Sequence, residues 1–249
     1  AWLDQRLSER DYRGIAMSVP GAVHQETGVI EGISAIPYIH GFSWYEALAH
    51  HKLPVHLEND ANCVGLSELL AHPEIENAAC VVIGTGIGGA MIINGKIHRG
   101  RHGLGGEFGY MTTIEPAEKL NNWSQLASTG NMVRYVIEKS GQSDWDGRKV
   151  YQEAAAGNAL CQEAIERMNR NLAQGLLNIQ YLIDPDVISL GGSISQNPDF
   201  IKGVQKAADA FVERYEEYTI APVIQACTYQ ADANLYGALV NWLQEENQW

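Results

Sequence analysis

The chain has 249 residues, 45% of them hydrophobic, with 17 basic against 30 acidic side chains and a formal net charge of −13. This is enough apolar material for one large core or two moderate ones, while the acidic balance leaves no broad basic surface for nucleic acid or an anionic membrane. No apolar run reaches membrane-spanning length, and Cys63, Cys80, Cys161 and Cys227 lack any C-x-x-C spacing, which predicts buried free thiols in a soluble, cytoplasmic protein.

The opening residues put Trp2, Leu3 and Leu7 on one helical face and lack an initiator methionine, so the natural protein is expected to extend further toward its N-terminus. Arg13 to Val19 predicts a buried strand, followed by the Pro20-Gly21 turn and a polar loop through Glu26-Thr27-Gly28. Phe42 to His51 predicts a short helix with Ser43 as its cap. Pro54-Val55-His56-Leu57 then alternates like a half-buried strand, and Ala61, Val64, Leu66, Leu69 and Leu70 recur at helical spacing. Glu58-Asn59-Asp60-Ala61-Asn62 therefore falls where a strand hands over to a helix, the position at which ligands bind in open α/β sheets. Two readings of that junction compete: Asn59 or Asp60 caps the helix, or Asp60 carries chemistry.

A lobe boundary is expected near Pro73, after which Ala79-Cys80-Val81-Val82-Ile83 is apolar enough for a central strand. Gly84-Thr85-Gly86-Ile87-Gly88-Gly89 formally satisfies G-x-G-x-x-G, but a dinucleotide fingerprint must open a helix. Here the glycines lead into a second strand and the hairpin signal Asn94-Gly95. The loop joins strand to strand, so a dehydrogenase is excluded and phosphate binding by backbone amides and the Thr85 hydroxyl is retained. A loop from His98 to Gly109 comes next, then mainly helices, the longest from Asn158 to Ile183 with Leu160, Ile165, Met168, Leu172, Leu176 and Ile179 in one stripe. Asp186 to Leu190 predicts a strand ending in Gly191-Gly192, Asp199 to Tyr215 a helix, Val223 to Cys227 a last strand, and Asn234 to Glu246 a terminal helix.

Four segments in this order, Glu58 to Asn62, Gly84 to Gly89, Gly103-Leu104-Gly105-Gly106-Glu107-Phe108-Gly109 and Leu190-Gly191-Gly192-Ser193-Ile194-Ser195, resemble the sugar kinases of the ROK family (repressor, open reading frame, kinase). The resemblance runs from about Tyr12 to the terminal helix. It implies an α/β, two-lobed actin and hexokinase-like ATPase fold: residues 1–72 as an incomplete N-terminal lobe with the sugar site, 73–231 as a nucleotide-binding lobe, and 232–249 returning to the first lobe. It implies ATP-dependent phosphorylation of a sugar hydroxyl, with Asp60 as general base and Asn59, Glu107 and Gly21 around the sugar. Gly84, Thr85 and Gly86 would meet the ATP phosphates, Gly191 and Gly192 would lie beside the adenosine, and Mg2+ would bridge the phosphates.

The departures are equally specific. Where many members carry a zinc-ligating histidine this chain has Tyr110, and Met111 to Ser128 contains no cysteine, so no metal ligand is assigned and no structural zinc is expected. Alignment on Ala127-Ser128 puts Ser124 where the family has a second sugar-binding carboxylate, which leaves room for a substituent and makes a β-glucoside or other disaccharide a candidate beside glucose. The family's leading Asp-x-Gly-Gly-Thr motif does not occur in these residues, and a chain without it would turn over ATP poorly. A sugar and a nucleotide are the expected partners, a homodimer the expected assembly, and nucleic acid and membrane are not expected. The alternative within the family is a sugar-sensing regulator, which would need a basic helix-turn-helix domain ahead of Ala1. A metal-dependent hydrolase would rest on His98 and His102 alone.

Overall fold

The computed structural model describes residues 2–32, 36–114 and 120–249. In chain order the elements are α1 (Trp2–Glu9), β1 (Ile15–Val19), β2 (Ala22–His24), β3 (Val29–Glu31), α2 (Trp44–Leu48), β4 (Val55–Asn59), α3 (Asp60–Ala71), β5 (Ala78–Ile83), β6 (Ile87–Ile93) and β7 (Lys96–Ile97). They continue with β8 (Thr112–Ile114), β9 (Leu120–Asn122), α4 (Trp123–Ala127), α5 (Thr129–Ser140), α6 (Gly147–Ala155), α7 (Ala159–Ile183), β10 (Val187–Gly191), α8 (Pro198–Arg214), β11 (Ile224–Ala226) and α9 (Ala233–Glu245).

Two sheets organise the site. β1 and β4 run parallel from Ile15↔Val55 to Val19↔Asn59. The larger sheet has the order β11-β10-β5-β6-β7, parallel across β11, β10 and β5, and antiparallel from β5 onward. β5 is central because it is apolar on both faces, as a strand covered on both sides must be. The β6–β7 turn has both Asn94 (φ 52) and Gly95 (φ 69) in the left-handed region, as the Asn-Gly pair predicts. On one side of this sheet, α7 contributes Met168, Leu172, Leu176 and Ile179 to a core with Phe200 and Val204 of α8 and Trp123 of α4. Asn158 starts α7 by accepting from the Leu160 and Cys161 amides.

On the other side lies α3, which is shared between the sheets. Val64, Leu66 and Leu69 pack on Ala78, Cys80, Ala90, Ile92 and Ile97, and the same cluster includes Ala233 and Val240 of α9. The terminal helix reaches the small sheet as well: Trp242 donates to Pro54 O at 3.4 Å, and His56 Nε2 pairs with Glu246 Oε1 at 2.8 Å. All four cysteines are buried and free, and burial pushes the Cys63 thiol up to about 12. Among the described residues no helix is long and apolar enough to cross a membrane.

Two segments differ from the sequence expectation. The polar loop after Gly21 is the hairpin β2–β3, whose three-residue strands are too short to show alternation; its buried side chains, Val23 and Ile30, anchor it. β8 and β9 form a second short hairpin where helix was expected, and residues 115–119 between them lie outside the described residues. α1 is the helix that the opening residues predict, although none of its described residues is buried and Trp2 is 68% exposed.

The α3–α9 contact is close enough to reverse an ordinary rule. Alanine normally stabilises a helix by about 1 kcal/mol over glycine, but a methyl on Gly237 would overlap the Cys63 carbonyl. Gly237→Ala is therefore expected to destabilise the protein by about 1–3 kcal/mol, read by urea unfolding; an increase in stability would refute the packing.

Candidate active site

The cleft is built where β4 ends and α3 begins. Asn59 takes the capping role: its Oδ1 accepts from Ala61 N at 2.9 Å and Asn62 N at 3.1 Å, satisfying two of the orphan amides of α3. Its Nδ2 donates to Gly21 O at 3.1 Å, tying the turn after β1 to the end of β4. Gly21 has φ +101, and a side chain there would press on Ile30 and the Glu31 carbonyl. With the cap in place, Asp60 needs to supply only one further bond, Ala61 N to its Oδ1 at 2.9 Å, and its other carboxylate oxygen is left for the cleft.

Beneath them Glu58 is 1% exposed. Its Oε1 accepts from Asn59 N (2.8 Å) and Asn62 Nδ2 (2.9 Å), and its Oε2 takes Arg99 Nε at 2.7 Å. Arg99 also donates to Asn241 Oδ1 at 3.0 Å on α9 and stands 3.7 Å from Glu245. Its carbonyl accepts from Gly105 N at 2.9 Å, two residues before Glu107.

Asp60 and Glu107 face one cavity of about 520 Å³, which Gly84, Gly86, Ser124 and Tyr110 also line. Burial raises both carboxyl groups above the ordinary range, offset at Asp60 by the Ala61 amide and reinforced at Glu107 by the negative charge of Asp60. Two acids that share a desolvated cleft and repel each other are suited to accepting hydroxyl hydrogens, and the one nearer a reacting hydroxyl to taking its proton.

The glycine turn contributes Gly84 and Gly86 to the same cavity. β5 and β6 are antiparallel on either side of it, so it joins strand to strand. Gly84 N closes onto Gly86 O at 2.9 Å, and Gly130 N, at the start of α5, donates to Gly84 O at 3.2 Å. The amides of Thr85 and Gly86 have no acceptor among the described residues. The N-terminus of α5 is pressed against this turn so tightly that a methyl on Gly130 would overlap Thr85. Free amides beside a helix N-terminus form an anion-binding corner. Gly192, with φ +89, abuts the Ile83 carbonyl just before the turn, because β10 pairs in parallel with β5 through Gly191↔Val82.

Of the residues singled out in the sequence, Asp60, Glu107, Tyr110, Ser124, Gly84 and Gly86 line this cavity, whereas Gly21, Asn59, Thr85, Gly191 and Gly192 stand behind or beside its wall. Ser124 is a fastener: its hydroxyl accepts from Ile87 N at 2.9 Å and donates to Ile87 O at 3.2 Å. Tyr110 sits at the mouth, 71% exposed. The sequence reading missed Asn122 and Asn234, which also line the cavity. Asn122 was detectable as a helix cap three residues ahead of Gln125, and its capping box with Gln125 opens α4; Asn234 carries no such signal. His98 and His102 acquire no third metal ligand among the described residues.

A second cavity of about 380 Å³ opens beside Gly192, lined by Thr129, Asp146, Arg148, Tyr151, Ser193 and Asn197 among others. Thr129 Oγ1 and Tyr151 OH are buried there without any protein partner. Orphaned polar atoms in a concave wall are what a bound polar ligand would satisfy.

The family model described as "ROK family" matches residues 3–245. The chain belongs to the ROK family. Its fold is accordingly the α/β, actin and hexokinase-like fold of ROK sugar kinases. A ROK family protein from Streptococcus pneumoniae TIGR4, solved in complex with sucrose, is 88% identical with a TM-score of 0.97; the alignment covers 100% of this chain and 86% of that one. The β-glucoside kinase of Listeria monocytogenes is 35% identical over 246 residues, 96% of this chain and 82% of the relative. The ROK glucokinase from Streptomyces griseus, solved with glucose and AMPPNP, shares the fold at a TM-score of 0.75 and 22% identity, over 93% of this chain and 82% of that one.

Two outcomes are expected from this ROK site. Arg99→Met strands the buried Glu58 charge and should cost about 3–5 kcal/mol in chemical denaturation; a loss under about 1 kcal/mol would show that Asn62 and the Asn59 amide suffice to hold it. The second concerns pH. Because burial raises the folded Asp60 carboxyl above its unfolded value, the folded state binds its proton more tightly. Stability is therefore lost as pH rises through the window between the two values. Asp60→Asn should match or exceed the wild-type melting temperature at neutral pH, with the difference vanishing below the ordinary carboxylate range.

Proposed function

We propose that this chain catalyses ATP-dependent phosphorylation of a sugar hydroxyl, and that its acceptor is a β-glucoside or another disaccharide. The observation that carries the reading is that Asp60 and Glu107 line one cavity together with Gly84 and Gly86 of the glycine turn. The names of relatives support it: they include a β-glucoside kinase, and a protein 88% identical was solved with sucrose. In this reading residues 1–72 and 73–231 are the two lobes, 232–249 return to the first, and the assembly is a cytoplasmic homodimer.

The residues present fit a nucleotide. Free amides at Thr85 and Gly86 and the start of α5 suit its phosphates, and the cavity beside Gly192, with its orphaned Thr129 and Tyr151 hydroxyls, suits its nucleoside. ATP, when bound, supplies the phosphoryl group, with Mg2+ carried on its phosphates. The chain's own part is positioning and proton removal. Asp60 accepts the hydrogen bond of the attacking hydroxyl and takes its proton late, while Glu107 and Asn122 hold neighbouring hydroxyls. Asn59 acts through its cap: it fixes the first turn of α3, and with it the direction of Asp60. Ser124, spent on Ile87, leaves the space that a family carboxylate would fill, and the exposed Tyr110 ring gives a second sugar ring a surface at the mouth.

Asp60→Asn is expected to lower kcat by about 10²–10⁴ while sugar affinity changes little; a wild-type rate would remove Asp60 from the mechanism. A coupled ADP-release assay over glucose, cellobiose, aryl β-glucosides and sucrose should give its highest kcat/KM on a two-ring acceptor. Sugar binding without turnover on any of them would favour the regulator reading instead.

A further inference from the structure

Outside the cleft, the fold brings one side chain from the start of the chain against two that are adjacent in sequence. Asp4 of α1 faces His50 and His51, which lie in the single 3-10 turn following α2. Asp4 Oδ1 is 3.6 Å from His51 Nε2 and 3.8 Å from His50 Nε2, and the ligand atoms of all three residues lie within 4.8 Å of one another. Those separations are too long for hydrogen bonds. They resemble instead the edges of a coordination tetrahedron, since donors at zinc-ligand distances around one centre stand about 3.3–3.6 Å apart.

The tautomer is also set. His50 Nδ1 lies 3.1 Å from Ala47 O, a carbonyl that can only accept, so the proton sits on Nδ1 and the Nε2 lone pair is directed at the cluster. A backbone carbonyl holding the outer nitrogen of an imidazole is the usual support of a histidine ligand. The His51 side chain is only 10% exposed, so it is already ordered toward Asp4. The two ring centroids lie 3.9 Å apart, with the rings tilted by 40°.

We infer that Asp4, His50 and His51 form a binding site for one divalent transition-metal ion, Zn2+ foremost, with water completing its coordination. Two imidazoles and one carboxylate favour such an ion over Mg2+, which prefers oxygen throughout. The site would be structural. It clamps α1 to the segment that, through Lys52 in the left-handed region and Pro54, leads into β4, the strand that ends at the Asn59 cap. It is independent of the residues that line the cleft, and of the cysteine-bound family zinc that is not expected at Met111 to Ser128.

The test is calorimetric titration of the full chain, purified without a histidine tag, with zinc chloride at about pH 7.5, where free imidazole is largely neutral. One equivalent should bind and raise the melting temperature. His50→Gln and His51→Gln should each weaken binding by at least about tenfold, the scale seen even for outer-shell partners, and Asp4→Asn should weaken it as well. His72→Gln, a control away from the cluster, should not. Asp4 and His50 are exposed, so circular dichroism of those variants will confirm that they fold. Absence of stoichiometric zinc in the wild type, or full binding in both histidine variants, would overturn the site.

Discussion

The cleft depends on one ion pair. Glu58, almost wholly buried, holds the amide of Asn59 and the side chain of Asn62 with one oxygen and Arg99 with the other. It thereby fixes the strand-to-helix junction that aims Asp60. Arg99 passes the constraint on in two directions, through Asn241 and Glu245 to the terminal helix and through its own carbonyl to Gly105, on the loop that delivers Glu107. The two cleft carboxylates arrive from segments 47 residues apart in sequence, yet both hang from the same guanidinium–carboxylate contact. Buried ion pairs contribute little net stability against an apolar alternative. Their value is directional, and here the direction is that of the Asp60 carboxylate.

Close backbone approach is the second constraint. A side chain on Gly109 would overlap the Ile87 carbonyl and Ser124, one on Gly130 would overlap Thr85, and one on Gly192 would overlap Ile83. Each of these contacts drives a neighbouring segment against the ends of β5 and β6, bracing the base of the Gly84 turn while Gly84, Thr85 and Gly86 themselves stay exposed. Such bracing limits the reorganisation that the turn's free amides would undergo when an anion arrives.

Much of the fold was legible in the sequence for identifiable reasons. β5 announced itself by an unbroken apolar run, the β6–β7 turn by Asn-Gly, α7 by its stripe, and the strand-to-strand glycine loop by the apolar run and hairpin signal after it. The hairpins β2–β3 and β8–β9 were not visible, because three-residue strands present no period. The junction at Asp60 posed a choice between cap and catalyst, and the structure divides it: Asn59 caps, which frees Asp60 to face the cavity. Ser124 could be aligned with a sugar-binding position, but its commitment to Ile87 is a tertiary fact. So is the role of Arg99, an ordinary loop arginine in sequence, and so is the meeting of Asp4 with His50 and His51.

The distribution of charge within the cleft then suits the proposed nucleotide, a highly charged anion that an acidic protein would have to accommodate. With a net charge of −13, the surface as a whole repels phosphate. The acidic groups that line the cavity, Asp60 and Glu107, lie close enough to interact, and an uncharged polyol can satisfy them with hydroxyl hydrogens. The glycine turn offers neutral backbone N–H groups beside the start of α5, which attract anions without a counter-charge elsewhere. A phosphate set against the two carboxylates instead would meet their negative charge. The same polarity raises both carboxyl groups, because each is buried and Asp60 stands in the field felt by Glu107. In the proposed reaction, what orients the ligands would also tune the base, so sorting and proton transfer would be two consequences of a single arrangement.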